Sequence, residues 1–285
     1  MRKNGFWSRL FMALIFLFLY APIFVLIIFS FNAAKSRSVW TGFSMKWYIN
    51  LFSDEVIMDA LRTTLLVSAV ASLIACAAGT AAALGIYAMK RKPRSVVMAV
   101  NNIPLTNADI VTGVSLSLLF VLAINAFNAT IGKSVGEQWS LGFITLLIAH
   151  ITFDIPYVIL SVLPKLRQLD PNIYEAAQDL GATGAAAFRK VILPDLMPGI
   201  INGLLIAFTM SIDDFVISYF TAGSQVSTLS MEVYAMARRK ISPEINAVST
   251  IMFGSVLLLL IIINLRETHQ SRKLKQRQAA LAPKR

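Results

Sequence analysis

Six apolar blocks, each long enough to cross a bilayer, constrain this chain more than any other feature. They run roughly over residues 10–31, 61–88, 103–124, 140–163, 196–220 and 246–265. A helix needs about 20 predominantly apolar residues to span the hydrocarbon core. Only helices and closed barrels satisfy every backbone group there, and continuous apolar runs are not the alternating segments of a barrel. The expectation is an all-α integral membrane protein with six transmembrane helices. The composition agrees, at 56% hydrophobic and 14% charged, where soluble domains carry about 25% charged residues. The first block follows Arg2, Lys3 and Arg9. Its length of about 22 residues exceeds a signal peptide's apolar core, so it reads as a retained span despite the cleavage-like "FNAAK" behind it.

The net charge of +11 is unevenly spread. With six spans and an inner amino terminus, 18 of the 26 Lys and Arg fall on segments of one side. Cytoplasmic loops carry such an excess, so both termini are expected in the cytoplasm, although Arg238, Arg239 and Lys240 run against the trend. The basic tail, 266–285, reads as a segment that meets anionic lipid headgroups or enforces topology. No nucleic-acid partner is expected. Cys76 is the single cysteine, which excludes an intrachain disulfide and a cysteine-based zinc site. His150 and His269 form no metal-ligand spacing, so no metal site is expected, and without a GxSxG, HExxH or cysteine-centred constellation no catalytic residue is expected. "IGKS" at 131–134 is half a nucleotide loop, but Phe127 stands where that loop requires glycine.

Within the spans, Ser68, Ser72, Ala75, Gly79 and Ala83 form a stripe of small residues, the signature of close helix packing in lipid. Four carboxylates also fall in or near the spans. Counted along continuous helices, Asp109 lies about 22 Å from the inner end of its span, and Asp213–Asp214 about 27 Å along theirs. Asp154 is similarly deep and can pair with His150 one turn away. Intramembrane carboxylates face a cavity or a partner. Asp109, Asp213 and Asp214 read as parts of a cation pathway, with Phe215, Tyr219 and Phe220 offering aromatic faces to an alkylammonium group. The same aromatics also suit an ordinary interfacial belt.

The segment between the fourth and fifth blocks, 164–195, is polar and on the expected cytoplasmic side. Asp170 is a candidate N-cap and Pro171 a first helical residue. Ile173, Ala176, Ala177 and Leu180 share one face, and Gly181 supplies a left-handed cap. Thr183 can cap a second short helix that Pro194 would stop. Two short helices around a glycine turn suit a groove on a cytoplasmic partner.

This stretch, "EAAQDLGATGAAAFRKVILP", resembles the EAA loop of type I ABC import permeases. The pattern falls on Glu175, Ala176, Ala177, Gly181, Val191, Leu193 and Pro194, with Val191 where isoleucine is more usual. "IPLTNADIVTGVSLSLLF", "LLIAFTMSIDDFVISYF" and "SPEINAVSTIMFG" are similar to stretches of spermidine/putrescine permeases, specifically the C-type subunit of the pair. The similarity covers about residues 5–265; Asp154 departs from it, since an uncharged residue is usual there. The resemblance implies a MetI-like permease fold. It divides into a first helix and outer loop over 1–59, a five-helix core over 60–265, and the tail. It implies a multi-pass protein of the bacterial inner membrane and an ATP-driven importer of polyamines. The expected partners are cytoplasmic ATPase subunits that hold ATP and Mg, a second homologous permease, and an extracytoplasmic polyamine-binding protein. No cofactor is expected in this chain. Other readings are an ABC permease for a metal or small organic ion, a proton-coupled carrier using the buried acids, and a membrane scaffold.

Overall fold

The computed structural model describes residues 6–34, 39–133, 136, 138–170, 172–239 and 243–281. Pro171, Lys240 and the basic residues Arg2, Lys3, Lys35, Arg37, Lys284 and Arg285 lie outside them. The described chain is helical, with a single bridge between Asn32 and Phe43. In order, the helices are α1 (Phe6–Ser30), α2 (Lys46–Ser53), α3 (Glu55–Ala88), α4 (Arg91–Thr106), α5 (Asp109–Phe127) and α6 (Phe143–Gln168). They continue with α7 (Ile173–Asp179), α8 (Gly184–Ala187), α9 (Leu193–Asp213), α10 (Val216–Thr221), α11 (Leu229–Arg239) and α12 (Pro243–Leu281).

Six helical stretches among the described residues are long and apolar enough to span: Ser8–Ser30, Glu55–Ala88, Asp109–Thr130, Phe143–Gln168, Gly184–Asp213 and Glu244–Ile262. Two expected boundaries are corrected. The third span starts at Asp109 and not at 103, because the backbone turns extended at Asn107 (ψ 154°) and Ala108 (ψ 133°), which makes α4 a separate helix. The fifth ends at Asp213 and not at 220, because Asp214 is extended (ψ 125°). The depth of Asp109 counted along one continuous helix therefore does not apply.

Residues 1–59 with 232–255 form one compact unit, and 60–231 with 256–285 another. In the first, the chain leaving α1 is fastened by Asn32. Its Nδ2 donates to the Val39 carbonyl (2.8 Å) and its Oδ1 accepts the Thr41 amide (3.0 Å), while the Trp47 indole donates to the Asn32 carbonyl (2.6 Å). Phe31 lies against both Phe43 and Tyr48.

In the second unit α6 is the central helix. It buries Val158, Ile159, Val162, Leu163 and Leu166 against Ala83 and Ile86 of α3 and Leu196 and Ala207 of α9. Small residues set these approaches. A β-carbon on Gly79 would sit 2.8 Å from that of Val158, and one on Gly199 would sit 2.8 Å from Lys165 Cγ. The small-residue stripe of α3 is thus a packing face, with Ser68, Ser72, Ala75 and Ala83 all buried. With no hydrophobic drive between helices in lipid, such backbone proximity is what holds them together.

Candidate functional site

The loop after α6 is built from local backbone bonds. Asp170 Oδ1 accepts the Asn172 amide (2.9 Å), so Asp170 forms a turn ahead of the helix and α7 begins at Ile173, later than expected for a cap at 170. Gly181 has φ +85°, and a β-carbon there would meet nothing within 4 Å. The position thus requires glycine for its backbone angle and not for space. The Ala182 amide donates to the Ala177 carbonyl and the Gly181 amide to the Gln178 carbonyl, the paired bonds of a Schellman cap. Thr183 Oγ1 accepts the Ala186 amide (3.3 Å) and starts α8.

Pro194 does not stop the second helix. Gly184–Asp213 is one continuous helical stretch, with a π turn at Phe188–Ile192. In that turn the Leu193 amide reaches back to the Phe188 carbonyl, so the ladder is already widened where proline, which has no amide hydrogen, enters. Glu175, Ala176 and Gly181 are exposed, Ala177, Val191 and Leu193 half-buried, and Pro194 exposed at the start of α9. The apolar face of α7 is left partly uncovered: Leu180 is 90% exposed. The short helix with the uncovered face, α7, is joined through the Gly181 turn to the helical stretch Gly184–Asp213, which runs on into a span.

The second group of candidates surrounds the break after α9. Asp213 is exposed at the last turn of α9, whereas the side chain of Asp214 is 7% exposed and points the other way. Asp214 caps α10: its Oδ1 accepts the Ile217 amide (3.2 Å), and its Oδ2 accepts the Ser218 amide (2.7 Å) and hydroxyl (2.9 Å). A carboxylate at a helix N-terminus is stabilised by the amides and by the helix dipole. Phe215, Tyr219 and Phe220 form a run of touching rings, each neighbouring pair 5.5 Å apart between centroids. Asp109 opens α5, which lies against α10 at Gly113; a β-carbon there would be 3.1 Å from Phe220 Cδ2. The structure thus brings the two chain breaks, each followed by a helix starting near an aspartate, to adjoining helices.

His150 does not pair with Asp154. It is 2% exposed, with Nδ1 2.6 Å from Ser211 Oγ and Nε2 2.9 Å from Ser218 Oγ and 3.7 Å from Asp214 Oδ2. A neutral ring protonated on Nε2 completes a chain in which Ser211 donates to His150, His150 to Ser218 and Ser218 to Asp214. The partners come from residues 211 and 218, about sixty positions away, so the i,i+4 spacing to Asp154 lost to a contact that sequence distance hides. Asp154 itself is fully buried in the middle of α6, and neither carboxylate oxygen has a hydrogen-bond partner among the described residues. At mid-bilayer a charge costs about 2.5–3.5 kcal/mol on the lenient insertion scale, and an unsatisfied buried polar group costs about 1–3 kcal/mol even when neutral. A cleft of about 560 Å³ between α5 and α6, lined by Phe120, Phe127, Trp139 and Phe143 among others, has no carboxylate in its wall and is not part of this centre.

The family model for the inner membrane component of binding-protein-dependent transport systems matches residues 75–276. The chain belongs to that family. The match runs past residue 265, further into the basic segment than the similarity noted above. Among curated proteins, the putrescine transport system permease protein PotI of Escherichia coli (strain K12) is 40% identical over 251 residues, covering 88% of this chain and 86% of the relative. The spermidine/putrescine transport system permease protein PotC of Haemophilus influenzae is 34% identical over 260 residues, covering 91% and 96%. Among solved structures, a bacterial alginate ABC transporter in complex with an alginate-pentasaccharide-bound periplasmic protein aligns with a TM-score of 0.69 at 19% identity, covering 94% of each chain. The fold is that of a type I ABC importer permease, and the chain is a multi-pass transport component of the inner membrane.

Proposed function

We propose that this chain is one permease subunit of an ATP-driven importer of polyamines, putrescine or spermidine. The observation that carries the reading is its similarity to PotI and PotC over most of its length. In this reading both termini are cytoplasmic, as the Lys and Arg distribution argues. Cytoplasmic ATPase subunits, which hold ATP and Mg, dock on α7 and the turn at Gly181. Glu175 makes a polar contact, Ala176 and Ala177 permit close approach, and Val191, Leu193 and Pro194 carry the motion into α9. A second permease of the same family completes the pathway, and an extracytoplasmic receptor delivers the polyamine. Asp109, Asp213 and Asp214 give the path its negative charge, Asp214 partly by fixing the break. Phe215 and Tyr219 present ring faces to the ammonium groups.

Two substitutions test the two halves. Gly181→Asp should remove the ATPase from the purified complex, and co-purification at the wild-type level would contradict the docking assignment. Asp213→Asn should lower polyamine uptake by about tenfold, the equivalent of one charge-assisted contact. Undiminished uptake by a normally assembled complex would exclude Asp213 from the path.

A further inference from the structure

Asp154 is the one mid-span carboxylate whose purpose the fold leaves unexplained. It is fully buried, and neither oxygen finds a hydrogen-bond donor among the described residues. Its neighbours make the position worse for an ionised carboxylate. Asp214 lies within electrostatic reach and adds a like charge. His150, one turn earlier, is held by Ser211 and Ser218 and faces Asp214. A role in packing alone is served equally by an asparagine or a leucine of similar volume, without a carboxyl to desolvate. What the site lacks is a cation, and among the described residues none donates a hydrogen bond to either oxygen.

The surroundings also indicate which kind of cation. Phe153 directly precedes Asp154 and Tyr157 follows it three residues later, and their rings meet at 5.3 Å between centroids. Tyr157 is within electrostatic reach of both Asp154 and Asp109, which links the buried carboxylate to the opening turn of α5. One carboxylate within electrostatic reach of a tyrosine, whose ring meets that of Phe153, suits an alkylammonium group. A hard metal ion needs a cage of several oxygens, and the described residues contain no group of three or more His, Cys, Asp or Glu that could form one. Asp154 is also near a break in the fold. The α9–α10 junction at Asp213–Phe215 is a backbone break, and α6 packs against the helices on both sides of it.

We propose that Asp154 is a cargo-binding residue, sealed in this conformation, whose carboxylate meets an ammonium group of the substrate when the break at Asp213–Phe215 opens. The assignment rests on the polyamine reading above and extends it to a second, deeper contact on α6. It adds a binding site that lies outside Asp109, Asp213 and Asp214.

The test uses the whole complex in proteoliposomes, with ATPase, second permease and receptor, and labelled putrescine and spermidine as probes. Wild-type uptake is measured first. If the wild type moves neither amine, the polyamine reading fails, and the role of Asp154 fails with it. If it moves either, the Asp154 variants decide the further point alone. Asp154→Asn should assemble and keep receptor-stimulated ATP hydrolysis, yet import about tenfold more slowly. Asp154→Glu should recover part of that loss. Asp154→Leu should melt no lower than wild type while importing as poorly as Asp154→Asn. Import by Asp154→Asn at the wild-type rate would overturn the proposal. So would loss of assembly in Asp154→Asn, which would make the carboxylate a packing group.

Discussion

The loop after α6 and the acidic centre are both polar but are held together in different ways. Among the described residues, the hydrogen bonds that shape the loop join residues within five positions of each other, from the Asp170 turn through the Schellman bonds at Gly181 to the Thr183 cap. The acidic centre depends on pairs 61 and 68 residues apart, His150 with Ser211 and with Ser218. The loop is a self-contained module whose shape does not depend on contacts distant in sequence; in the reading proposed above, that lets it dock and release unchanged. The centre holds only while α6, α9 and α10 stay in register, so a shift among those helices must remake it. A transporter needs both properties, a stiff handle and a rearrangeable interior.

This contrast predicts graded responses to mutation. The largest belongs to Asp214→Ala, which strips the cap from α10 and leaves Ser218 and His150 without their terminal acceptor. The cap alone is worth about 1–2 kcal/mol, and thermal unfolding of the purified complex should show at least that loss, with uptake falling in parallel. A smaller effect follows from Thr183→Ala, which removes one local cap worth about 1 kcal/mol and should weaken ATPase association while leaving the membrane-embedded part intact. The smallest follows from Pro194→Ala. Because the π turn already shifts the amide ladder at that point, the change should stay within about 0.5 kcal/mol. A large loss there would mean that the proline holds the widened turn open, and the loop would be less self-sufficient than its hydrogen bonds indicate.

The same contrast explains what could be read from the sequence. Gly181 and Thr183 follow from local rules, since a left-handed cap and a hydroxyl acceptor are properties of a few adjacent residues. The packing stripe of α3 was legible for the same reason, being a fixed spacing of small residues. The breaks at Asn107–Ala108 and Asp214 were not, because apolar residues resume at once on both sides of the few polar residues there, so each block reads as one span. Asp214 three and four residues ahead of Ile217 and Ser218 was the available signal of a new helix. The pairing of His150 with Asp154 followed a correct spacing rule and failed because serines on other helices reach the ring. The Asn32 clasp likewise joins residues whose types alone do not single them out.

The most direct test of the account is uptake of labelled putrescine and spermidine into proteoliposomes, measured with and without ATP, ATPase and receptor. The account predicts import only when all three accompany this chain and its partner permease, unaffected by collapse of the proton gradient. Import by this chain alone, abolished when the gradient is collapsed, would contradict it.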